Sequence, residues 1–385
     1  MLKSNTEQCH VCKSCDLTLI PGAEGLSGVT SDCKVWDDFN DLAHCNQCGC
    51  SQTITSRKWF QDITKIYENY EIYHQGDCSD HPIIKSGGST LRSDVIVKEL
   101  LDKKIISKQG KLLEIGPGGG NFLRVWNKKL PDWKLYAADV NEKAKETILC
   151  IDGVKDFYTT KLNRIPHNFD VVVSIHSLEH IPYPFEYLVQ LKDIVKHMGI
   201  VLINVPNCND NPFNITVADH CTHFVPHTLS NLVTASGFEI LSLSTTCITK
   251  EIVLVARNDI NKKSFKDNLG PARPCSMLSS HLRWLNEIIK KINKLPGDMK
   301  LGCLGTSIAG TWLRAQIGQR LEFFVDEDES RQGKKHFGLP ILSPSELDKD
   351  AYVFLTFPYP VALEISKRFE EQDFQCILPP KSYDP

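Results

Sequence analysis

Apolar residues fall along this chain with two periods, and the periods alternate. Lys111–Ile115 ("KLLEI") is a short, nearly unbroken apolar run, the pattern of a strand buried on both faces. The next segment, "NFLRVWNKKL", spaces its apolar residues as a helix does. A strand "KLYAADV", a helix "NEKAKETIL", strands "KDFYTT" and "FDVVVSIHSL", a helix "PFEYLVQLKDIVKH" and a strand "IVLINVP" follow. Strands alternating with helices predict a doubly wound parallel sheet, with a ligand at the carboxyl ends of its strands.

The same logic returns near the C-terminus. "MKLGCLGTSIAGTWLRAQIG" predicts strand, glycine loop and helix, and "LEFFVDEDESRQGKKHFGLPIL" adds a strand ending at Asp326. "AYVFLTF", "PVALEISKRFEE" and "QCILPP" complete a smaller α/β unit. A helix "SMLSSHLRWLNEIIKKINKL", stopped by Pro296 and Gly297, leads into it from a polar linker, "INKKSFKDNLGPARP". Before the central unit, "WFQDITKIYENYEIYHQGD" puts Tyr67, Tyr70 and Tyr73 at helical i, i+3, i+6 spacing, a stripe that suits packing. "SGGSTLRSDVIVKELL" reads as a loop followed by an amphipathic helix. The fold class expected is α/β: a central doubly wound, Rossmann-like domain at 86–258, a small module at 1–85, and a second Rossmann-like unit at 259–385 behind its linker helix.

Composition changes this picture in two places. The chain has 385 residues, a net charge of -3 and ordinary fractions of hydrophobic (41%) and charged (24%) residues. It therefore needs more than one core and gives no electrostatic reason to expect nucleic acid or an anionic membrane as partner. No stretch approaches the roughly 20 apolar residues of a membrane span. The start, "MLKSNTEQCH", lacks the apolar segment of a signal peptide, so a cytoplasmic location is expected. Fifteen cysteines are many for such a compartment, where clustered ones point to metal and scattered ones to reduced core thiols.

The clustered ones are paired. "CHVC" and "CNQCG" form two C-x2-C knuckles, and four thiolates from Cys9, Cys12, Cys45 and Cys48 can close a tetrahedral, structural zinc site with no open position for catalysis. Gly49 suits a turn aiming N–H groups at sulfur. His10, Cys15, Cys33, His44 and Cys50 compete as ligands, and buried free thiols are the alternative.

The turn "GPGGGN" at 116–121 is bare but fits no phosphate motif. A dinucleotide fingerprint starting at Gly116 needs glycine where Asn121 stands, no G-K-[ST] follows, and Glu114 would repel phosphate. A cationic ligand with a ribose fits better. Gly116, Gly118 and Gly120 let the backbone pass close to it, and Asp139, ending the second strand, can accept ribose hydroxyls. Asp139 could instead cap the helix "NEKAKE". Together, "LLEIGPGGGNF", "AADV" and "FDVVVSIHSLEHIPYP" resemble the first, second and fourth motifs of class I S-adenosylmethionine (SAM)-dependent methyltransferases, over about residues 110–256. The resemblance implies that Glu114 to Gly118 line the methionine end, that Gly120 belongs to the same loop, and that Asp139 holds the ribose. His176 would lie beside the donor sulfur. The chain departs from the family after the third strand, where "TTKL" with Lys161 replaces a frequent acid.

Methyl transfer to a protonated acceptor needs a base, and histidine suits neutral pH. "SIHSLEHIPYP" offers His176, Glu179 and His180; "ADHCTHFVPHTL" offers Asp219, His220, His223 and His227. His223 and His227 read as structural, with Pro226 in the first turn of a helix that the Thr228 hydroxyl could cap. A cysteine-paired module, a class I core and a C-terminal α/β unit in this order resemble the deoxysugar C-methyltransferases of nucleotide-linked keto sugars. That resemblance implies bound zinc and a catalytic Asp219–His220 pair, with aspartate where the family has glutamate. It also implies a tyrosine from the N-terminal module at the acceptor, for which Tyr70 and Tyr73 are the candidates. Similar stretches occur in O-methyltransferases of glycans, so C- and O-methylation both stay open. The loop Gly302–Ser307 could hold a phosphate of the acceptor, or the last unit could be architectural. Expected cofactors are SAM and structural Zn2+, and the expected partner is a small sugar or nucleotide-sugar substrate, not nucleic acid or membrane. The rival readings are a methyltransferase of RNA, protein or another small metabolite, a non-catalytic nucleotide-binding scaffold, and an NAD(P)-linked enzyme.

Overall fold

The computed structural model describes residues 7–71, 82–85, 88–259, 277–371 and 373–381; for 82–85, 88 and 89 it describes the backbone alone. The linker "INKKSFKDNLGPARP" lies outside the described residues. The first unit holds strands β1 (Leu17–Ile20), β2 (Gly28–Val29), β3 (Val35–Trp36), β4 (Leu42–Cys45) and β5 (Ser51–Thr53), then helix α1 (Arg57–Glu68). Ser56 starts α1 by accepting the N–H of Trp59, and Trp59 and Ile66 bury its apolar face. The tyrosine stripe does not run on this helix: α1 ends at Glu68, Tyr70 lies beyond its cap, and Tyr73 is outside the described residues. A hairpin of β6 (Pro82–Lys85) and β7 (Gly88–Leu91) leads into α2 (Arg92–Asp102).

The central sheet forms as its sequence pattern demands. Its elements are β8 (Lys111–Ile115), α3 (Asn121–Lys129), β9 (Lys134–Ala138), α4 (Lys145–Leu149), β10 (Val154–Tyr158), β11 (Phe169–Ile175), α5 (Pro184–Ile194) and β12 (Val195–Pro206). A two-residue strand β13 (Thr222–His223) and α6 (Pro226–Ala235) follow, and β14 (Glu239–Ser244) and β15 (Glu251–Arg257) complete the sheet. The strand order is β10-β9-β8-β11-β12-β15-β14, all parallel except β15, which runs antiparallel to both neighbours. Alternate residues serve opposite faces: Leu112, Val171 and Val173 pack with α2 and α3, whereas Leu113, Val172 and Val201 pack with α5 and α6. Two helices are shorter than the pattern predicts. α5 stops at Ile194, and Val195 already pairs with Phe169. α4 starts only at Lys145, because residues 139–143 form side-chain-bonded turns.

Beyond the linker come α7 (Met277–Asn293), β16 (Leu301–Leu304), α8 (Ile308–Ile317), β17 (Phe323–Val325), β18 (Lys335–His336), β19 (Leu339–Leu342), β20 (Tyr352–Leu355), α9 (Tyr359–Glu370) and β21 (Gln375–Ile377). These make a second, mostly parallel sheet in the order β18-β19-β17-β16-β20-β21. Among the described residues, no helix is long and apolar enough to cross a membrane.

The packing ties all three regions together. β13, from the central stretch of the chain, closes the N-terminal sheet β1-β4-β5-β13. Val29 and Leu42 share one core with Phe213, Val217, Trp284 and Trp312. Phe213 sits edge-on to both Trp284 (5.4 Å) and Trp312 (5.6 Å), with all three rings buried. Replacing Phe213 with alanine removes the ring that joins α7 and α8 to the central domain. It should cost about 3–5 kcal/mol, seen as a lower midpoint in chemical denaturation.

Candidate functional site

The turns after β8, β9 and β11 meet at the carboxyl ends of the strands, where the strand order reverses on the two sides of β8. Hydrogen bonds hold them in register. Gly116 N–H donates to the Ala138 carbonyl (2.9 Å), Asp139 N–H to Tyr158 (3.1 Å) and His176 N–H to Asn204 (2.8 Å). The Ser177 hydroxyl donates to the Ile115 carbonyl (3.1 Å).

The glycines of the first turn are required for a reason the motif alone did not show. Gly116, Gly118 and Gly120 all have positive φ, at 69°, 51° and 79°. A Cβ on Gly116 would meet the Ser177 hydroxyl at 2.3 Å, and one on Gly120 would meet Ile151 and Ile148 at 2.5 and 2.6 Å. The missing side chains thus make room for neighbouring parts of the protein. Glu114 is buried inside β8. Asp139 does not cap α4, whose N-terminal neighbour is Ala144. One of its oxygens accepts the Asn141 N–H (3.2 Å), and burial raises its pKa above the usual carboxylate value. Beside it Val140, which motif reading passed over, is 84% exposed.

The second cluster is built from both sides of the expected module boundary. Asp219 is fully buried, and its carboxylate lies 3.3 Å from Nδ1 of His180. It also accepts the N–H of Ser31 (2.8 Å) and the Ser31 hydroxyl, at the tip of the β2–β3 hairpin. His180 Nδ1 further faces the Asp219 carbonyl (2.9 Å) and the hydroxyl of Tyr67 (3.2 Å). His220 stands edge-on to His180 with ring centroids 4.7 Å apart, and its Nδ1 lies 2.6 Å from Oδ1 of Asn214. The hydroxyl of Tyr70, one of the two expected tyrosines, accepts from the Ser31 hydroxyl at 3.4 Å. Tyr67, a member of the same stripe, is the tyrosine that touches a histidine. Asp219 and His220 do not pair with each other; each turns to a separate partner.

The charges of this cluster are strongly biased. Burial works against an ionised Asp219, but the hydrogen bond and charge of His180 outweigh it and hold the carboxyl down at about 2. Burial works equally against charged His180, and Asp219 in turn raises its pKa. His220 is pushed down to about 4 by burial and by the neighbouring His180 charge, so it is neutral at pH 7. His176 is committed differently. Its ring bridges Glu179 and Glu251, both at 3.2 Å, and Glu251 also pairs with Arg92 (3.2 Å). Burial opposes its charge, but the two carboxylates raise its pKa to about 9. Its polar atoms therefore serve the frame rather than a ligand. His223 contacts Thr53 and Asn214 inside the core, and the Thr228 hydroxyl accepts the Val225 N–H at the start of α6, as structural roles require.

Residues 92–243 match the family model of a methyltransferase domain. The chain carries a methyltransferase domain. Enzymatic, SAM-dependent methyl transfer follows as its reaction class. The solved structures similar to this chain include SAM-dependent methyltransferases of Aquifex aeolicus (18% identity, 43% of this chain and 92% of that one, TM-score 0.36) and Mesorhizobium loti (14%, 40% and 94%, 0.35). A third is from Clostridium acetobutylicum (10%, 52% and 99%, 0.35). No curated protein matches the chain.

Outside the methyltransferase domain, the cysteine knuckles fit a metal. The Sγ atoms of Cys9, Cys12, Cys45 and Cys48 all lie within 4.8 Å of one another, with Cys9–Cys48 and Cys12–Cys45 at 3.5 Å. Tetrahedral zinc–thiolate bonds place sulfurs about 3.8 Å apart. The knuckles share one geometry: Lys13 and Gly49 follow them at φ 64° and 74°, donating to the carbonyls of Cys9 (3.0 Å) and Cys45 (2.9 Å). The competing ligands His10, Cys15, Cys33, His44 and Cys50 fall outside this group. Glu179, His180 and His220 also bring ligand-type atoms within 4.8 Å, but Glu179 is already neutralised by His176. In the last unit, the Thr306 N–H and hydroxyl both donate to Asp326 (3.1 and 2.7 Å), so this part of the loop is not open to phosphate.

Two measurements check these assignments. Metal analysis of the purified protein should find about one zinc per chain, and Cys45→Ser should abolish it and lower the melting temperature. His176 keeps its proton up to about 9, against about 6.5 in an unfolded chain. Its contribution to stability is complete below about pH 6.5 and fades as pH rises through about 9. Histidine ring signals followed by NMR should show His220 titrating near 4 and His176 near 9.

Proposed function

We propose that the protein methylates a sugar, either nucleotide-linked or within a glycan precursor. The observation that carries this reading is the polar cluster of Tyr67, His180, Asp219 and His220, built jointly with the N-terminal module and placed past the same strand ends as the glycine turn. A polyhydroxylated acceptor suits a cluster of hydroxyl, imidazole and carboxylate groups. The order of the three units, with paired cysteines ahead of the methyltransferase domain, supports the likeness to sugar methyltransferases. Cys9, Cys12, Cys45 and Cys48 hold a structural zinc that fixes the pocket wall.

The donor lies across Gly116, Gly118 and Gly120, with Asp139 accepting its ribose hydroxyls and the Val140 side chain offered to its adenine. Glu114 backs the turn from within β8, and His176 braces the opposite loop. When bound, SAM supplies an activated methyl carbon, which the acceptor's electron pair takes as the carbon–sulfur pair returns to sulfur. His220 removes the acceptor proton. Asn214 holds its Nδ1–H, which leaves the Nε2 lone pair for that proton, and the low pKa keeps the ring neutral. His180, whose charged form Asp219 favours, steadies negative charge on the acceptor as the proton leaves.

Calorimetry with S-adenosylhomocysteine should show at least about a tenfold loss of affinity in Asp139→Ala; unchanged affinity would remove the donor assignment. A panel of nucleotide sugars, read by S-adenosylhomocysteine release, should give turnover that His220→Ala lowers by about 10²–10⁴ at unchanged donor affinity. Turnover on RNA or peptide pools alone would replace the sugar reading.

A further inference from the structure

The two halves of the proposed reaction centre sit on different units, and one side chain joins them. Lys143 follows Asp139 through two successive side-chain turns. The Asn141 N–H donates to Asp139 Oδ1 (3.2 Å), and the Lys143 N–H donates to Asn141 Oδ1 (3.0 Å). The loop is pinned on its far side by Glu142, which accepts from Thr159 (3.2 Å) and Lys145 (2.9 Å). The ammonium of Lys143 crosses to the N-terminal module. There it donates to three main-chain carbonyls at the end of α1: Tyr67 (3.2 Å), Glu68 (3.0 Å) and Tyr70 (3.0 Å). A helix leaves its last carbonyls unpaired and its C-terminus partially negative, so a cation there is favoured.

The residue held by this contact matters. Tyr67 occupies the last turn of α1, and its hydroxyl lies 3.2 Å from His180 in the acceptor pocket. An unbroken chain of contacts thus runs from Asp139 through Asn141 and Lys143 to Tyr67 and His180. We propose that Lys143 is a positioning residue that couples donor binding to the acceptor pocket. Ribose hydroxyls donating to Asp139 fix the carboxylate that orders the 139–143 turns, and the added order passes to the end of α1. This rests on the donor site proposed above. A neighbouring cation supplies an internal control. Lys34, from the N-terminal module, donates to the Asn69 carbonyl at the same helix end but has no link to Asp139.

Hydrogen exchange of the amides at 63–70, measured with and without S-adenosylhomocysteine, tests the coupling. In the unaltered protein, ligand should slow exchange there by about tenfold, the usual scale of coupling between two sites. Lys143→Met should reduce the change to within about twofold and, by reciprocity, weaken ligand binding by a similar factor to the coupling lost. Lys143→Arg should keep most of the effect, since a guanidinium can also reach carbonyls. Lys34→Met should speed exchange with and without ligand yet preserve the ratio. If Lys143→Met retains the full ratio, or if ligand binds by calorimetry without slowing α1, the coupling is wrong and the donor site stands. If ligand does not bind the unaltered protein, the donor site falls and the coupling with it.

Discussion

The buried carboxylate of Asp219 is the constraint around which the site is organised. A fully buried anion without partners is costly enough that a protein either neutralises it or surrounds it with donors and an opposite charge. Here the donors come from the Ser31 N–H and hydroxyl, and the opposite charge from His180. One charge therefore fixes the hairpin tip of the first unit, the loop after β11 and the 217–223 segment relative to one another. The flanking backbone completes the fixation. Ala218 N–H donates to Val29 (2.7 Å), Trp59 and Asn40 donate to the Ala218 carbonyl (3.0 and 2.8 Å), and Thr53 N–H donates to Cys221 (2.9 Å).

A second alternation of charge runs behind the first. Arg92, Glu251, His176 and Glu179 form a chain of opposite signs from the start of α2 to the loop that carries His180. Each member needs the next, because removing one leaves an uncompensated buried charge. The same arrangement separates the three nearby imidazoles. His176 between two carboxylates is held charged, His180 beside Asp219 is biased toward its charged form, and His220 between His180 and an amide is held neutral. Three rings of one chemistry acquire different charge states from their neighbours alone.

The last unit supports this arrangement from outside. α7 and α8 pack through Trp284 and Trp312 on Phe213, next to Asn214, whose oxygen sets the orientation of His220. α8 also shares its core with the β2–β3 hairpin that carries Ser31, and Gln316 donates to the Ser27 carbonyl (3.2 Å). A buttress for the Asp219 cluster is a physical role that this unit fills by packing.

The central and C-terminal sheets were legible from the chain because their strands are buried on both faces, and continuous apolar runs between helical patterns have few other solutions. The glycine turn and Asp139 were legible because backbone sterics and strand ends fix their place locally. The paired cysteines were legible because each knuckle is a local turn. The partners of Asp219 and His220 were not. Adjacent residues invited pairing, but the charge found His180 and Ser31, 39 and 188 positions away. Tyr67 was hidden in a stripe that periodicity assigns to packing, since spacing reports a helix face and not what the face meets. Sequence alone settled which elements form, because that choice rests on neighbours within a few residues. Tertiary structure decided which charges meet and which imidazole stays neutral, because Coulomb and desolvation energies depend on distances in space that no local pattern encodes.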